Sequence, residues 1–243
     1  MGEIIGFLSG KGGTGKTAVC AGLAQALSQL GESVLCIDLN AGLPGLDLAF
    51  GVSQLPALTY AELASGEYDL GHAAKHPQFE GLVYLTAPES YGPLDMEALE
   101  ALLEKAKQEF SYVLLDCPAG LGEAFSLTAE MADRLIVICG YDPDSIRCAA
   151  KVGNALELLG KSDVRLIINR ADNRAFKEMR ITADDIMDRA GLPLLGLMPE
   201  DAYVVLAANA GKPIFKTIRT GTAVAACKRI AKRIRGEAVP VRL

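Results

Sequence analysis

The densest chemistry in the chain lies near its start, in Gly10-Lys11-Gly12-Gly13-Thr14-Gly15-Lys16-Thr17. The stretch satisfies the spacing G-x-x-x-x-G-K-[ST], a phosphate-binding pattern. Glycines there let backbone N–H groups turn inward around phosphate oxygens. Lys16 would reach the β- and γ-phosphates, and the Thr17 hydroxyl would ligate Mg²⁺. Ala18 follows directly, at the start of a helical pattern whose N-terminus adds its positive end. Lys11 is a second lysine inside the loop, and from the loop alone it also reads as a solvated surface charge.

These groups need elements to hold them. Ile4-Ile5-Gly6-Phe7-Leu8 is a short apolar run that reads as a buried strand ahead of the loop. Behind it Val19, Leu23, Ala26, Leu27 and Leu30 recur at helical spacing through Ala18 to Leu30. Further buried strands are predicted at 33–38, 82–85, 111–116, 134–139, 164–169 and 194–198, with helices between them at 95–110 and from Asp142-Pro143-Asp144-Ser145 onward. Alternating strands and helices predict an α/β fold, a doubly wound and mostly parallel sheet flanked by helices. In such sheets ligands gather beyond the carboxyl ends of the strands. Asp38 and Asp116 end two of the strands. Asp38 is a candidate for outer-shell Mg²⁺ contact, or else a turn cap. Asp116 would hold Mg²⁺ through water or support Thr17. Gly120, just beyond Asp116-Cys117-Pro118, supplies backbone freedom.

Composition bounds the rest. With 243 residues the chain reads as one domain over 1–243. Half of it is hydrophobic and 22% charged, which excludes a disordered class. The net charge of −6 argues against a general nucleic-acid coat, with a local basic patch left open. The six cysteines form no C-x-x-C pair, so no zinc or iron–sulfur site is suggested, and Cys36 and Cys139 read as core. His72 and His76 are the two histidines, and both read as surface residues, since two ligands do not make a metal site. The start shows no signal-peptide pattern and no run of 18 apolar residues exists, so a cytoplasmic protein is expected.

The form Lys-Gly-Gly-Thr-Gly-Lys-Thr resembles the deviant phosphate loop of the MinD/ParA family of P-loop ATPases. The resemblance continues in order through Asp38-Leu39-Asn40 with Leu46-Asp47-Leu48, then Asp116-Cys117-Pro118-Ala119-Gly120, Asn169-Arg170 and Pro199-Glu200-Asp201. It covers nearly the whole chain and points to the MinD side. What it implies is an ATP- and Mg²⁺-dependent homodimer. Lys11 would cross the interface to the partner's phosphates, Asn169 with Arg170 would read the adenine edge, and Pro199, Glu200 and Asp201 would pack around the base. Such proteins position or regulate others, as in cell division.

One position departs from the family pattern. Asn40 stands where the family carries an Asp that orients or deprotonates the attacking water. An amide accepts a hydrogen bond through its carbonyl but takes no proton. General-base help is worth about 10²–10⁴ in rate, whereas phosphoryl transfer depends mainly on positioning and charge. Slow ATP hydrolysis is therefore expected, with nucleotide binding intact. The same asparagine keeps a nearly non-hydrolysing ATP-bound scaffold in view. A ParA-like partition ATPase binding DNA as a dimer is a further reading, and a metabolic ligase using the same loop is the outsider.

Thr222 to Arg235 is amphipathic, with Val224, Cys227, Ile230, Ala231 and Ile234 on one side and Lys228, Arg229, Lys232, Arg233 and Arg235 on the other. The basic side could meet anionic lipid or DNA. The apolar side is small and lacks Trp, Phe and Leu, so a helix packed on the sheet is the favoured reading, with any membrane contact peripheral.

Overall fold

The computed structural model describes residues 1–90, 92, 95–217 and 222–243. Among the described residues eight strands form one sheet: β1 (Glu3–Leu8), β2 (Val34–Asp38), β3 (Ala74–Lys75), β4 (Leu82–Leu85), β5 (Tyr112–Asp116), β6 (Arg134–Cys139), β7 (Val164–Ala171) and β8 (Leu194–Pro199). Their order is β3-β4-β2-β5-β1-β6-β7-β8, parallel throughout except for the short edge strand β3. The helices between them are α1 (Lys16–Gln29), α2 (Leu46–Phe50), α3 (Tyr60–Ala64), α4 (Met96–Glu109), α5 (Glu123–Met131), α6 (Pro143–Leu158), α7 (Asn173–Met179), α8 (Ala183–Ala190), α9 (Ala202–Asn209), α10 (Ile214–Thr217) and α11 (Thr222–Ile234).

Alternation along the strands divides the core in two. Ile4, Leu35, Ile37, Val113 and Leu115 join one apolar cluster, while Ile5, Val34, Cys36 and Leu114 join the other. These central strands are therefore apolar on both sides, which is why they read as continuous runs and not as alternating ones. The first cluster takes in α4, α5 and α6, and the second takes in α1 and α11.

α11 spends its apolar stripe inside the protein. Ala223, Val224, Ala226, Cys227, Ile230, Ala231 and Ile234 are all buried, and the helix packs on α1 and β8. The approach is close enough that a Cβ on Gly196 would lie 2.5 Å from Ile230 Cγ1. Much of the basic side is used locally. Arg229 and Arg233 donate to the carbonyls of Arg242 and Val239, and Arg235 pairs with Glu32 and Glu237. Among the described residues no helix is long and apolar enough to cross a membrane.

One expectation is corrected here. His72 is exposed, but His76 is buried, only 5% exposed. Pro77 and the edge strand β3 turn the ring inward between Phe50 and Phe79. Its two nitrogens are both satisfied, Nδ1 accepting from the Gln78 N–H and Nε2 lying 3.2 Å from the Phe50 carbonyl oxygen. A neutral imidazole can do both at once, so burial is tolerated. Local pattern also carried no warning of β3 itself or of α5, α7 and α8.

Candidate nucleotide site

Three neighbouring strands assemble the site. β5 lies between β2 and β1, in a register that sets Asp116 beside both Asp38 and Phe7. β1 therefore delivers the glycine loop, β2 delivers Asp38 and β5 delivers Asp116 to the same carboxyl edge. β1 is flanked by β5 and β6, the strand reversal at which open α/β sheets bind ligands. Backbone bonds fasten the edge: Leu39 N–H donates to the Asp116 carbonyl, Cys117 N–H to Phe7 and Gly120 N–H to Ser9.

The loop's shape needs its glycines at particular points. Gly15 has φ +82°, and a Cβ there would lie 2.3 Å from Asn169 Nδ2. Gly10 approaches α6 so closely that a Cβ would meet the Cys148 carbonyl oxygen at 2.5 Å. Around Gly12 and Gly13 the space is open, as a phosphate cradle requires.

Charge is concentrated at the loop's inner end. Lys16 is 6% exposed and its ammonium bonds directly to Oδ1 of Asp116, which is fully buried. Thr17 Oγ1 donates to Asp116 Oδ2 at 2.6 Å. Burial raises the Asp116 carboxyl above its ordinary value, and the Lys16 ammonium opposes that shift. Asp38 is equally buried and accepts four bonds. Oδ1 takes the Asn40 N–H and Nδ2–H, and Oδ2 takes the N–H groups of Gly45 and Leu46, which start α2. Asn40 Nδ2 also reaches Asp116 Oδ2 at 3.1 Å.

The outer end is built differently. Lys11 Nζ lies 3.3 Å from both Asp142 and Asp144 at the start of α6, and all three side chains are well exposed. Those aspartates hold the Lys11 pKa above its ordinary value. Sequence reasoning read Asp142 and Asp144 only as helix-starting residues. Nothing local marks them as Lys11's partners, because more than a hundred residues separate them.

On the far side, Asn169 lies within β7, 8% exposed, and donates through Nδ2 to the Thr14 carbonyl at 2.7 Å. Arg170 has φ +56° and lies 3.9 Å from Glu200. A cleft there is lined by Ala18, Asn169, Arg170, Pro199, Glu200 and Asp201, among others. The Asp201 carboxylate accepts from Tyr203 N–H, starting α9, and from Thr222 and Ala223, starting α11. Apart from the open glycine cradle, the chemistry of the donor set also fits Mg²⁺. Thr17 and Asp116 are hard oxygen donors, and Mg²⁺ is commonly held by one or two such groups plus substrate phosphates. Among the described residues no cluster of three His, Cys, Asp or Glu forms an all-protein cage.

Comparison with known proteins agrees with this geometry. The family model for the CobQ/CobB/MinD/ParA nucleotide binding domain matches residues 5–214. The septum site-determining protein MinD of a Synechocystis strain is 32% identical over 99% of this chain and 92% of its own length. The MinC:MinD cell division protein complex of Aquifex aeolicus superposes with a TM-score of 0.91 at 29% identity, covering 99% of this chain and 98% of that one. The Pyrococcus horikoshii MinD complexed with Mg-ADP gives 0.81 at 27% identity, with 96% of each chain covered. The phosphate loop at a strand reversal, the buried Lys16–Asp116–Thr17 group and these likenesses carry one conclusion: the chain is a MinD-like member of the CobQ/CobB/MinD/ParA family of nucleotide-binding P-loop proteins.

Proposed function

We propose that this chain is a Mg²⁺- and ATP-dependent switch of the MinD kind, which dimerises across its nucleotide face and hydrolyses ATP slowly to position or regulate a partner protein in cell division. The observation that carries the reading is the pairing of two unlike lysines in one loop. Lys16 is fixed at the phosphate end, and Lys11 stands exposed at the rim, where a second copy could be met.

When nucleotide binds, Lys16 exchanges Asp116 for the β- and γ-phosphates, and the glycine-loop N–H groups with the start of α1 hold the phosphate oxygens. Thr17 and Asp116 then face the metal position. Mg²⁺ supplies neutralisation of phosphate charge there. Lys11 leaves Asp142 and Asp144 for the partner's phosphates, so the γ-phosphate couples to dimerisation. Asn169, Arg170 and the Pro199–Asp201 loop flank the base. The named complex of the Aquifex relative supports a MinC-type partner on this dimer.

Light scattering with ATP and with ADP, alongside steady-state turnover, tests the reading. A dimer with ATP alone that turns over, and neither with Lys11→Ala, is the expected result. No dimer with ATP would overturn it. One observation favours a second reading, the nearly non-hydrolysing scaffold: the Asn40 NH₂ is committed to Asp38 and Asp116, and the remaining amide oxygen takes no proton from a water. An ATP dimer without turnover would make that reading the correct one.

A further inference from the structure

The Asn40 amide stands between two acids. Nδ2 is 2.5 Å from Asp38 Oδ1, 3.1 Å from Asp116 Oδ2 and 3.1 Å from the Asp116 carbonyl oxygen. All three are acceptors, so the amide must present its NH₂ to them; reversed, its carbonyl would face acceptors with no proton between. The Asn40 NH₂ is thus committed to these acids, and only the amide Oδ1 is left to accept from a water.

The charges around it explain why a donor fits. Asp38 and Asp116 are both fully buried, and Lys16 is the ammonium that bonds into the group. Two carboxylates against one ammonium leave an excess of one negative charge. An aspartate at position 40 would add a third carboxylate within hydrogen-bond reach of both acids and leave an excess of two. Three clustered hard-oxygen donors of one sign, two of them fully buried, form a ready divalent-cation site. With asparagine the acids are instead engaged by protein donors. Asp38 takes four N–H bonds, and Asp116 takes Lys16, Thr17 and Asn40.

We propose that Asn40 reserves the divalent-cation position for the nucleotide-bound chain. By bridging Asp38 to Asp116 it keeps free Mg²⁺ or Mn²⁺ out until phosphates draw Lys16 away from Asp116. The inference rests on the nucleotide-binding reading above. Asn40 is here a positioning residue, acting through Asp116 and through the segment that Asp38 organises.

The test uses nucleotide-free protein and Mn²⁺ alone, read by the loss of free-ion paramagnetic resonance signal and by melting temperature. Native protein is expected to leave the signal undiminished and its melting temperature unmoved. Asn40→Asp is expected to melt below native protein in chelator, to recover with Mn²⁺, and to bind the ion at least about tenfold tighter, equivalent to about 1.4 kcal/mol. Asn40→Ala removes the bridge without adding charge, and keeps the test alive where Asn40→Asp fails to fold. It should bind Mn²⁺ more weakly than Asn40→Asp but measurably more than native protein. Lower melting temperatures in both variants with no response to Mn²⁺ would mean a merely structural role and overturn the proposal. Native protein binding Mn²⁺ as tightly as Asn40→Asp would overturn it equally. Titrating the native protein with a fluorescent ATP analogue separates the two levels. If the analogue binds and the Mn²⁺ result fails, only the Asn40 proposal falls; if it does not bind, the nucleotide reading and the proposal fall together.

Discussion

The two ends of the phosphate loop hold the same kind of side chain under opposite conditions. Lys16 is buried against a fully buried carboxylate, whereas Lys11 is 37% exposed and shares two exposed ones. A buried charge that loses its partner is left in a medium that solvates it poorly, so the inner pair is held in place. An exposed pair exchanges with water at little cost. One loop thus carries a lysine held in place and a lysine free to leave.

The sharpest way to break the comparison is Lys16→Ala. It would remove the proposed phosphate contact and leave Asp116 buried without its ammonium. ATP affinity should fall at least about 100-fold, or about 2.7 kcal/mol, by titration with a fluorescent analogue. Folding stability should fall by about 3 kcal/mol in urea melts, limited by Asp116 taking up a proton. An unchanged urea midpoint would show that the inner pair is as dispensable as an exposed one.

Gly15→Ala tests the rigidity of the same end. The residue would be forced into the left-handed region, costing about 1–2 kcal/mol, and its Cβ would push Asn169 off the Thr14 carbonyl. A stability loss of about 2 kcal/mol in denaturant is expected. Full stability would mean that the loop adapts freely and that its inner end is not fixed.

His76 gives an internal standard for this comparison. Burial lowers its pKa below the ordinary 6.5, so the unfolded chain binds the proton first as pH falls. Stability should be level above about pH 6.5 and decline below it, until the folded ring is protonated too. Urea midpoints measured from about pH 8 to about pH 5 should show that decline in native protein and in Lys11→Ala alike. A flat profile would show that the ring's burial carries no proton linkage.

The smallest effect on stability is expected from Lys11→Ala, together with a decisive effect on assembly. Urea midpoint and monomer ATP binding should match the native protein, and the ATP-dependent dimer should be absent by light scattering. A lowered midpoint would mean that the contacts with Asp142 and Asp144 are structural, and would dissolve the contrast between the two ends.

Much of this was legible from local pattern. Gly10 to Thr17, the apolar runs ending in Asp38 and Asp116, and the helix beginning at Asp142 are each encoded within a few residues. Side-chain spacing and chain flexibility reveal such features directly. The short edge strand β3 was not legible, because two residues carry no period. His76 was misread for a related reason. Its neighbours in sequence carry no sign of burial, and the aromatic residues that enclose it come from α2 and from beyond Pro77. α11 shows the reverse: its pattern suited either a membrane or the sheet, and only packing on α1 and β8 assigned the stripe.

The sequence by itself determined the loop chemistry, the strand-ending carboxylates, the alternation that builds a doubly wound sheet and the presence of an amide at position 40. Tertiary structure alone decided the pairings: Lys16 with Asp116, Lys11 with Asp142 and Asp144, Asn169 with Thr14, and Asn40 between two acids. The physical reason is range. Backbone preference and hydrophobic period act over a few residues, whereas hydrogen bonds and charges act through space, and the strand order brings together side chains that the sequence keeps far apart.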